Sequence, residues 1–320
     1  MEELNFKKAY YIKLGSKKDN WEDECIQKGK IRIGWSVVKN IDDINNGNWS
    51  EIKRQIKLDY DERKKGNGAT QDFNALELFC KATEEDIFIT FHDGKMYWCN
   101  PSNEPLKRYD ENSQTDFTKV RETKNGWKCS PINNQEKIFL SNEIPGQISK
   151  TQAYQATFCS FNNDETEIIK RLLLDQKDEV ITDVENLRND LIKNVSKLMK
   201  NLFWKDCETL ADLIFQRNGW VSHSMKGGSM EFTDMVYVEP INNYLYAVQV
   251  KAKAGEKEII HYRDELTKRK QYKKMYFVIF HPDETFEDIS DDNFEILYGE
   301  KLAQFIFDFG LLNWLLKKLW

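Results

Sequence analysis

The segment that most restricts the fold is FTDMVYVEPINNYLYAVQVKAKAG, residues 232–255. Two β-rich runs flank Pro240-Ile241-Asn242-Asn243, a turn-forming tetrapeptide, so the segment reads as a hairpin. Strand side chains alternate between two faces. In the second run Tyr244, Tyr246, Val248 and Val250 share one face, while Leu245, Ala247, Gln249, Lys251 and Lys253 share the other. A strand this apolar belongs inside a sheet, yet it carries Gln249 and Lys251 side by side. The run before it carries a lone Asp234. An unpaired buried charge costs on the order of several kcal/mol, so these three groups are expected to face something held between them.

The rest of the chain divides into three parts. Residues 1–161 are strand-rich with a few helices. AYYIKLG (9–15) and KIRIGW (30–35) read as strands, and a short helix between them stops at Gly29. TQDFNALELFCKA puts Phe73, Leu76, Phe79 and Cys80 on one helical face. Asp93-Gly94 and Asn125-Gly126 mark two further hairpins. Several strands around one or two helices predict a small β-barrel. Residues 162–200 predict a helical connector, with Leu172, Leu173, Val180, Val184, Leu187, Leu191, Val195 and Leu198 at three- and four-residue steps. A packed arm and a dimerising coiled coil both fit this pattern. Residues 201–320 alternate helix and strand, ending in one apolar helix, and read as an α/β layer domain.

Composition narrows the function classes. With 320 residues, 31% charged and net charge −6, the chain is not a polycation, although local basic patches can bind nucleic acid. Six cysteines occur without a C-x-x-C pair or a Cys/His cluster, which argues against structural zinc. The start MEELNFKK lacks a signal-peptide core, and no apolar run is long enough to span a bilayer. A cytoplasmic protein with reduced thiols is expected.

The chemistry centres on Asp234, Gln249 and Lys251. A carboxylate can hold a divalent metal, and a glutamine oxygen can complete the oxygen shell. A lysine beside them can orient an attacking water and stabilise charge on a phosphate. Glu208, on the helix before the strands, can add a second carboxylate. The set E208…D234…Q249-V250-K251, with FQRNGW before and KGGSMEFTD between, resembles the Mrr-type branch of the PD-(D/E)xK nucleases over residues 203–281. The resemblance implies a four-stranded mixed sheet between helices in an α/β/α nuclease domain. It also implies Mg²⁺-dependent hydrolysis of double-stranded DNA, with Asp234 and Gln249 as metal ligands, Lys251 as the catalytic lysine and Glu208 as the helix carboxylate. The family's aspartate follows the glycines sooner than here, which makes Glu231 a rival ligand; Asp234 is preferred because it is expected inside the strand. Lys226, in Lys226-Gly227-Gly228, is either a phosphate contact or part of a simple turn. Residues 251–274 carry nine Lys/Arg against four Asp/Glu, which predicts a basic helix beside the site, with Lys253 on DNA. A solvated helix face is the alternative.

The N-terminal part resembles, at the level of pattern, the PUA-like superfamily that includes EVE and YTH domains. The carriers are AYYIKLG, KIRIGWS, the helix before DIFITF, and the hairpin ending MYWCN. The resemblance implies a pocket for a flipped-out modified base, with Trp35, Ser36, Phe91 and Trp98 as base-binding residues. Stacking on aromatic faces can offset the cost of unstacking a base; barrel core is the alternative role for each ring. Together the two resemblances imply a modification-dependent, type IV-like restriction endonuclease acting near a modified, cytosine-derived base. It would act as a homodimer, because one domain carries one site and two strands must be cut. An Mrr-like nuclease whose N-terminal domain recognises unmodified DNA, RNA or a small signalling ligand is the alternative.

Overall fold

The computed structural model describes residues 6–15, 20–63, 66, 68–154, 156–223, 232–282, 285–286 and 289–320. The chain divides into two compact units, Met1–Asp178 and Glu179–Trp320. Both mix helices with sheets.

In the first unit the order is β1 (Ala9–Ile12), α1 (Glu22–Lys28), β2 (Lys30–Ile33), α2 (Ile41–Asn45), α3 (Trp49–Glu62), α4 (Ala69–Lys81), β3 (Ile87–His92) and β4 (Lys95–Cys99). There follow β5 (Lys107–Arg108), β6 (Lys119–Glu122), α5 (Gly146–Ser149), β7 (Phe158–Ser160) and α6 (Asn163–Leu173). The strands form two sheets, β4-β3-β1-β7 and β2-β6-β5. The expected barrel is not formed. Trp35 takes a left-handed backbone (φ 49°) just after β2, so KIRIGW ends there as a four-residue strand. β1 instead pairs parallel with β3 and antiparallel with β7. The hairpin at Asp93-Gly94 forms, with both turn residues at positive φ as a tight primed turn requires. The one expected at Asn125-Gly126 does not: β6 pairs with β2 and β5, and beyond the turn Lys128 bridges to Trp98.

The four-stranded sheet buries both faces. Tyr10, Ile12, Phe88 and Cys99 pack with Phe73, Leu76 and Phe79 of α4 on one side. Tyr11, Ile87, Ile89, Met96 and Trp98 pack with Ile169 and Leu173 of α6 on the other.

The second unit contains α7 (Glu179–Met199), α8 (Trp204–Arg217), β8 (Val221–Ser222), β9 (Met235–Val238), β10 (Leu245–Lys251), α9 (Glu256–Thr267), β11 (Tyr272–Ile279), β12 (Phe294–Tyr298), α10 (Gly299–Asp308) and α11 (Leu312–Lys318). Its mixed sheet has five strands in the order β12-β11-β10-β9-β8. β10, β11 and β12 are parallel, and β9 runs antiparallel to both of its neighbours, β10 and β8. Val248 and Val250 face a layer containing Leu210, Ile214 and Ile306. Ala247, Phe277 and Ile279 face Ile259 and Leu266 of α9. The alternation read from the sequence is therefore the alternation of the folded sheet.

Two expectations change here. The helical connector is shared: α6 belongs to the first unit, while α7 buries Ile192, Val195 and Met199 in the second. The closing helix is broken at Gly310 (φ 65°) into α10 and α11. Among the described residues no helix is long and apolar enough to cross a membrane.

Candidate active site

Asp234 lies immediately before β9 rather than inside it, at the point where its chain meets the end of β10. Its amide donates to the Val248 carbonyl (3.0 Å), which fixes the register of the last hairpin contact. Its carboxylate Oδ2 accepts from Gln249 Nε2 (2.5 Å) and from the Val250 amide (2.7 Å). Asp234 as a residue is exposed, but this oxygen is turned inward against β10. Burial pushes its pKa up, ahead of the opposing pull of the Val250 amide, the Gln249 amide and the Lys251 charge. Gln249 is buried at 5% exposure in a strand whose neighbours are apolar, so the Asp234 bond is what satisfies its amide.

Lys251 follows two residues on, at the same strand parity as Gln249. Its ammonium pairs with Glu258 Oε1 at 3.0 Å and lies 5.4 Å from the centre of the Tyr262 ring. Burial alone would lower its pKa; Glu258 and Tyr262 more than offset this, and the net shift is upward. Lys251 is a held, charged group. Its main partner is not the aspartate. Glu258 and Tyr262, both on α9, are part of this site and were not singled out from the sequence. The only sequence signal was a glutamate in the first turn of a helix that starts five residues after Lys251.

Glu208 sits on the first half of α8, as expected. Burial, followed by the charge of Asp234, raises its pKa, and Lys205 opposes this. The two carboxylates therefore feel each other. A site in which two acids are disfavoured as anions gains from a cation placed between them.

Among the described residues no group of three or more His, Cys, Asp and Glu side chains is placed to hold a metal. The donors present are two carboxylates, one amide and the backbone. Both protein hydrogen bonds to Asp234 go to Oδ2, and among the described residues none meets Oδ1. Turning the Gln249 amide over would present its oxygen beside that carboxylate. This is a sparse oxygen set that suits a hard divalent ion retaining several waters, as Mg²⁺ does.

The basic segment is placed differently from expectation. Because β10, α9 and β11 form a parallel crossover, α9 must run back along the strands. Its acidic start lies beside Lys251. Arg263 on the second half of α9, with Arg269 and Lys270 in the segment that follows the helix, joins Tyr244, Leu245 and Lys273 around an open groove of about 660 Å³ at the other end of β10. Seven strand residues separate the two ends by roughly 20 Å. Lys253 is exposed in the loop after β10, near the Lys251 end. Lys226 and Glu231 lie outside the described residues.

In the first unit the four expected base-pocket residues separate. Trp35 and Ser36 line a cavity of about 270 Å³ with Gly34, Val37, Tyr60 and Asp72. Trp98 is in the core, 3% exposed, with its indole N–H donating to the Ser130 carbonyl at 2.9 Å. Phe91 packs against that same core. Trp35 packs against the core on the opposite face of the sheet. Strand parity accounts for this: Met96 and Trp98 point one way, and Tyr97 and Cys99 the other. Tyr60 and Asp72 enter the cavity from α3 and α4, where the Tyr60 hydroxyl donates to Asp72 Oδ2 at 2.6 Å.

No protein-family model, curated protein or solved structure matches the chain.

Proposed function

We propose that the chain is a Mg²⁺-dependent endodeoxyribonuclease whose first unit recognises a modified base in DNA. The observation that carries the hydrolytic reading is the contact of Asp234 with Gln249 and the Val250 amide, with Lys251 two residues further along the same face. Asp234 and Gln249 would hold the cation, and Glu208 would hold one of its waters. A bound divalent ion supplies charge neutralisation and an acidified water. Lys251, kept protonated by Glu258, places a positive charge where the attacked phosphodiester becomes more negative. Water adds to phosphorus, one P–O ester bond breaks, and the leaving oxygen takes a proton.

The reading of a base is supported by the Trp35 cavity. Its volume is close to the lower end of small-ligand pockets, roughly 300 Å³. It offers an aromatic face together with the Ser36 hydroxyl and the Asp72 carboxylate. Carboxylates accept from the exocyclic amine of cytosine, which favours a cytosine derivative. Two copies would act together on the two strands.

The test is digestion of matched DNAs carrying cytosine, 5-methylcytosine or 5-hydroxymethylcytosine, with RNA of the same sequence alongside, in Mg²⁺. Preferred cutting of one modified DNA is expected. Equal cutting of all the DNAs would remove the reader, cutting of RNA alone would move the activity to another substrate, and no cutting at all would remove the nuclease.

A further inference from the structure

β6 carries an unusual side chain at the centre of the first unit. Lys119 is 1% exposed. Among the described residues its ammonium has one hydrogen-bond partner, the carbonyl of Trp35, at 2.7 Å. That carbonyl also accepts from the Val38 amide at 3.0 Å. It therefore closes the turn 35–38 and anchors it to β6. Trp35 itself is held at φ 49°, a conformation that side chains with a Cβ populate sparsely and that persists only where the surroundings impose it. Gly34, Trp35, Ser36 and Val37 are consecutive lining residues of the 270 Å³ cavity. The shape of that wall thus depends on one carbonyl and on the buried amine that meets it.

We propose that Lys119 is a positioning residue of this cavity: its amine holds the Trp35 carbonyl and so sets residues 34–37 as the wall against which a flat ligand stacks. A buried lysine has little else to gain here. An apolar side chain of the same length would fill the space without the cost of desolvating an amine. Lys119 does not line the cavity, so it acts through Trp35 and not on the ligand. The groups around it are Cys80 on α4, Arg108 on β5, Asp116 before β6, and Arg121 two residues further on the same strand. Arg121 is engaged with the carbonyls of Phe79, Ala82 and Ser102. Burial, then the Arg108 charge, lowers the Lys119 pKa to about 7, against the opposing effects of Asp116 and Cys80. Near neutral pH the amine therefore changes from a charged donor to a neutral one, and the turn should report this change.

The inference about ligand binding rests on the proposed base-reading function, whereas the inference about the turn does not. The experiment uses the full-length chain, ¹⁵N-labelled, as wild type and as Lys119→Met. In the wild type the Ser36 and Val38 amides and the Trp35 indole N–H are expected to shift together across neutral pH, with a common midpoint near 7. In Lys119→Met they should start from displaced positions and show no such titration. Binding of a duplex with one central 5-hydroxymethylcytosine, followed by fluorescence anisotropy, should weaken about tenfold, the effect of one hydrogen bond. If Lys119→Met does not fold, Lys119→Gln, which keeps a donor but cannot titrate, is measured in its place and should likewise displace the amides of 35–38. Amides of 35–38 that are unmoved by removal of the Lys119 amine would overturn the assignment. If the turn behaves as expected but the wild type binds no modified duplex, the base-reading function fails and Lys119 remains the residue that sets the turn.

Discussion

Asp234→Asn separates the function of the site from its stability. The substitution keeps the shape of the side chain. With its amide oxygen in the place of Oδ2, Asn can still accept from both the Val250 amide and Gln249 Nε2. What is lost is the charge-assisted part of two bonds, about 1 kcal/mol in net terms. What is gained is relief from the desolvation that raises the Asp234 pKa and from the Asp234 charge that, after burial, raises that of Glu208. The sign follows from linkage. A carboxyl whose folded pKa lies above its unfolded value disfavours the fold wherever it is ionised. This penalty grows as pH rises through the gap between the two values and is fully present above the folded one. At neutral pH, without a divalent ion, Asp234→Asn should be as stable as wild type or slightly more so. The melting temperature should lie within ~4 °C, since ~1 kcal/mol corresponds to roughly 2–4 °C in a domain of this size. With Mg²⁺ at ten times its dissociation constant the wild type should gain ~1.4 kcal/mol and the variant nothing. Cleavage should fall at least ~10²-fold, the usual effect of removing one preorganised electrostatic group. Thermal melts with and without Mg²⁺, paired with a plasmid cleavage assay, read all three quantities. A variant that melts far below wild type in the absence of cation would show that Asp234 serves the fold and not a cation.

Lys251→Ala should lose cleavage but little stability, because its ion pair with Glu258 is partly exposed and worth about 0–1 kcal/mol; thermal melts and the same cleavage assay check both. Mg²⁺ affinity should weaken as pH falls, beginning above the ordinary carboxylate range, because protons compete for Asp234 and Glu208, whose pKa values are raised; calorimetric titrations at several pH values give the onset. In Asp234→Asn the Glu208 carboxyl should titrate at lower pH than in wild type, since the Asp234 charge contributes to its shift; carboxyl carbon NMR measures this. Trp98→Ala should destabilise the first unit by about 3–5 kcal/mol as a core deletion. Trp35→Ala should instead act mainly on modified-DNA binding; chemical denaturation and anisotropy distinguish the two.

Much of the second unit was legible because its central strand has a strict period of two. The alternation of Val248 and Val250 with Gln249 and Lys251 fixes which residues face which layer, and both faces of β10 are buried as that pattern requires. β12 was hidden for the opposite reason. Phe294, Ile296 and Leu297 lie in a run dominated by acids, and only their contacts with β11 reveal the strand. The place of the basic residues on and just after α9 was not legible either. Sequence proximity to Lys251 suggested one site, but the crossover carries them to the far end of the strands. In the first unit, alternation misleads on β6. Lys119 and Arg121 look like a solvent-facing pair, yet both are buried because backbone carbonyls receive them. A left-handed tryptophan carries no sequence mark at all, so neither the end of β2 nor the loss of the barrel could be read in advance.

The most direct measurement is cleavage of supercoiled DNA bearing 5-hydroxymethylcytosine by wild type and Asp234→Asn, each in Mg²⁺ and in EDTA. Cutting is expected only by wild type in Mg²⁺. Cutting that persists in EDTA, or an Asp234→Asn variant as fast as wild type, would contradict metal-dependent hydrolysis at Asp234.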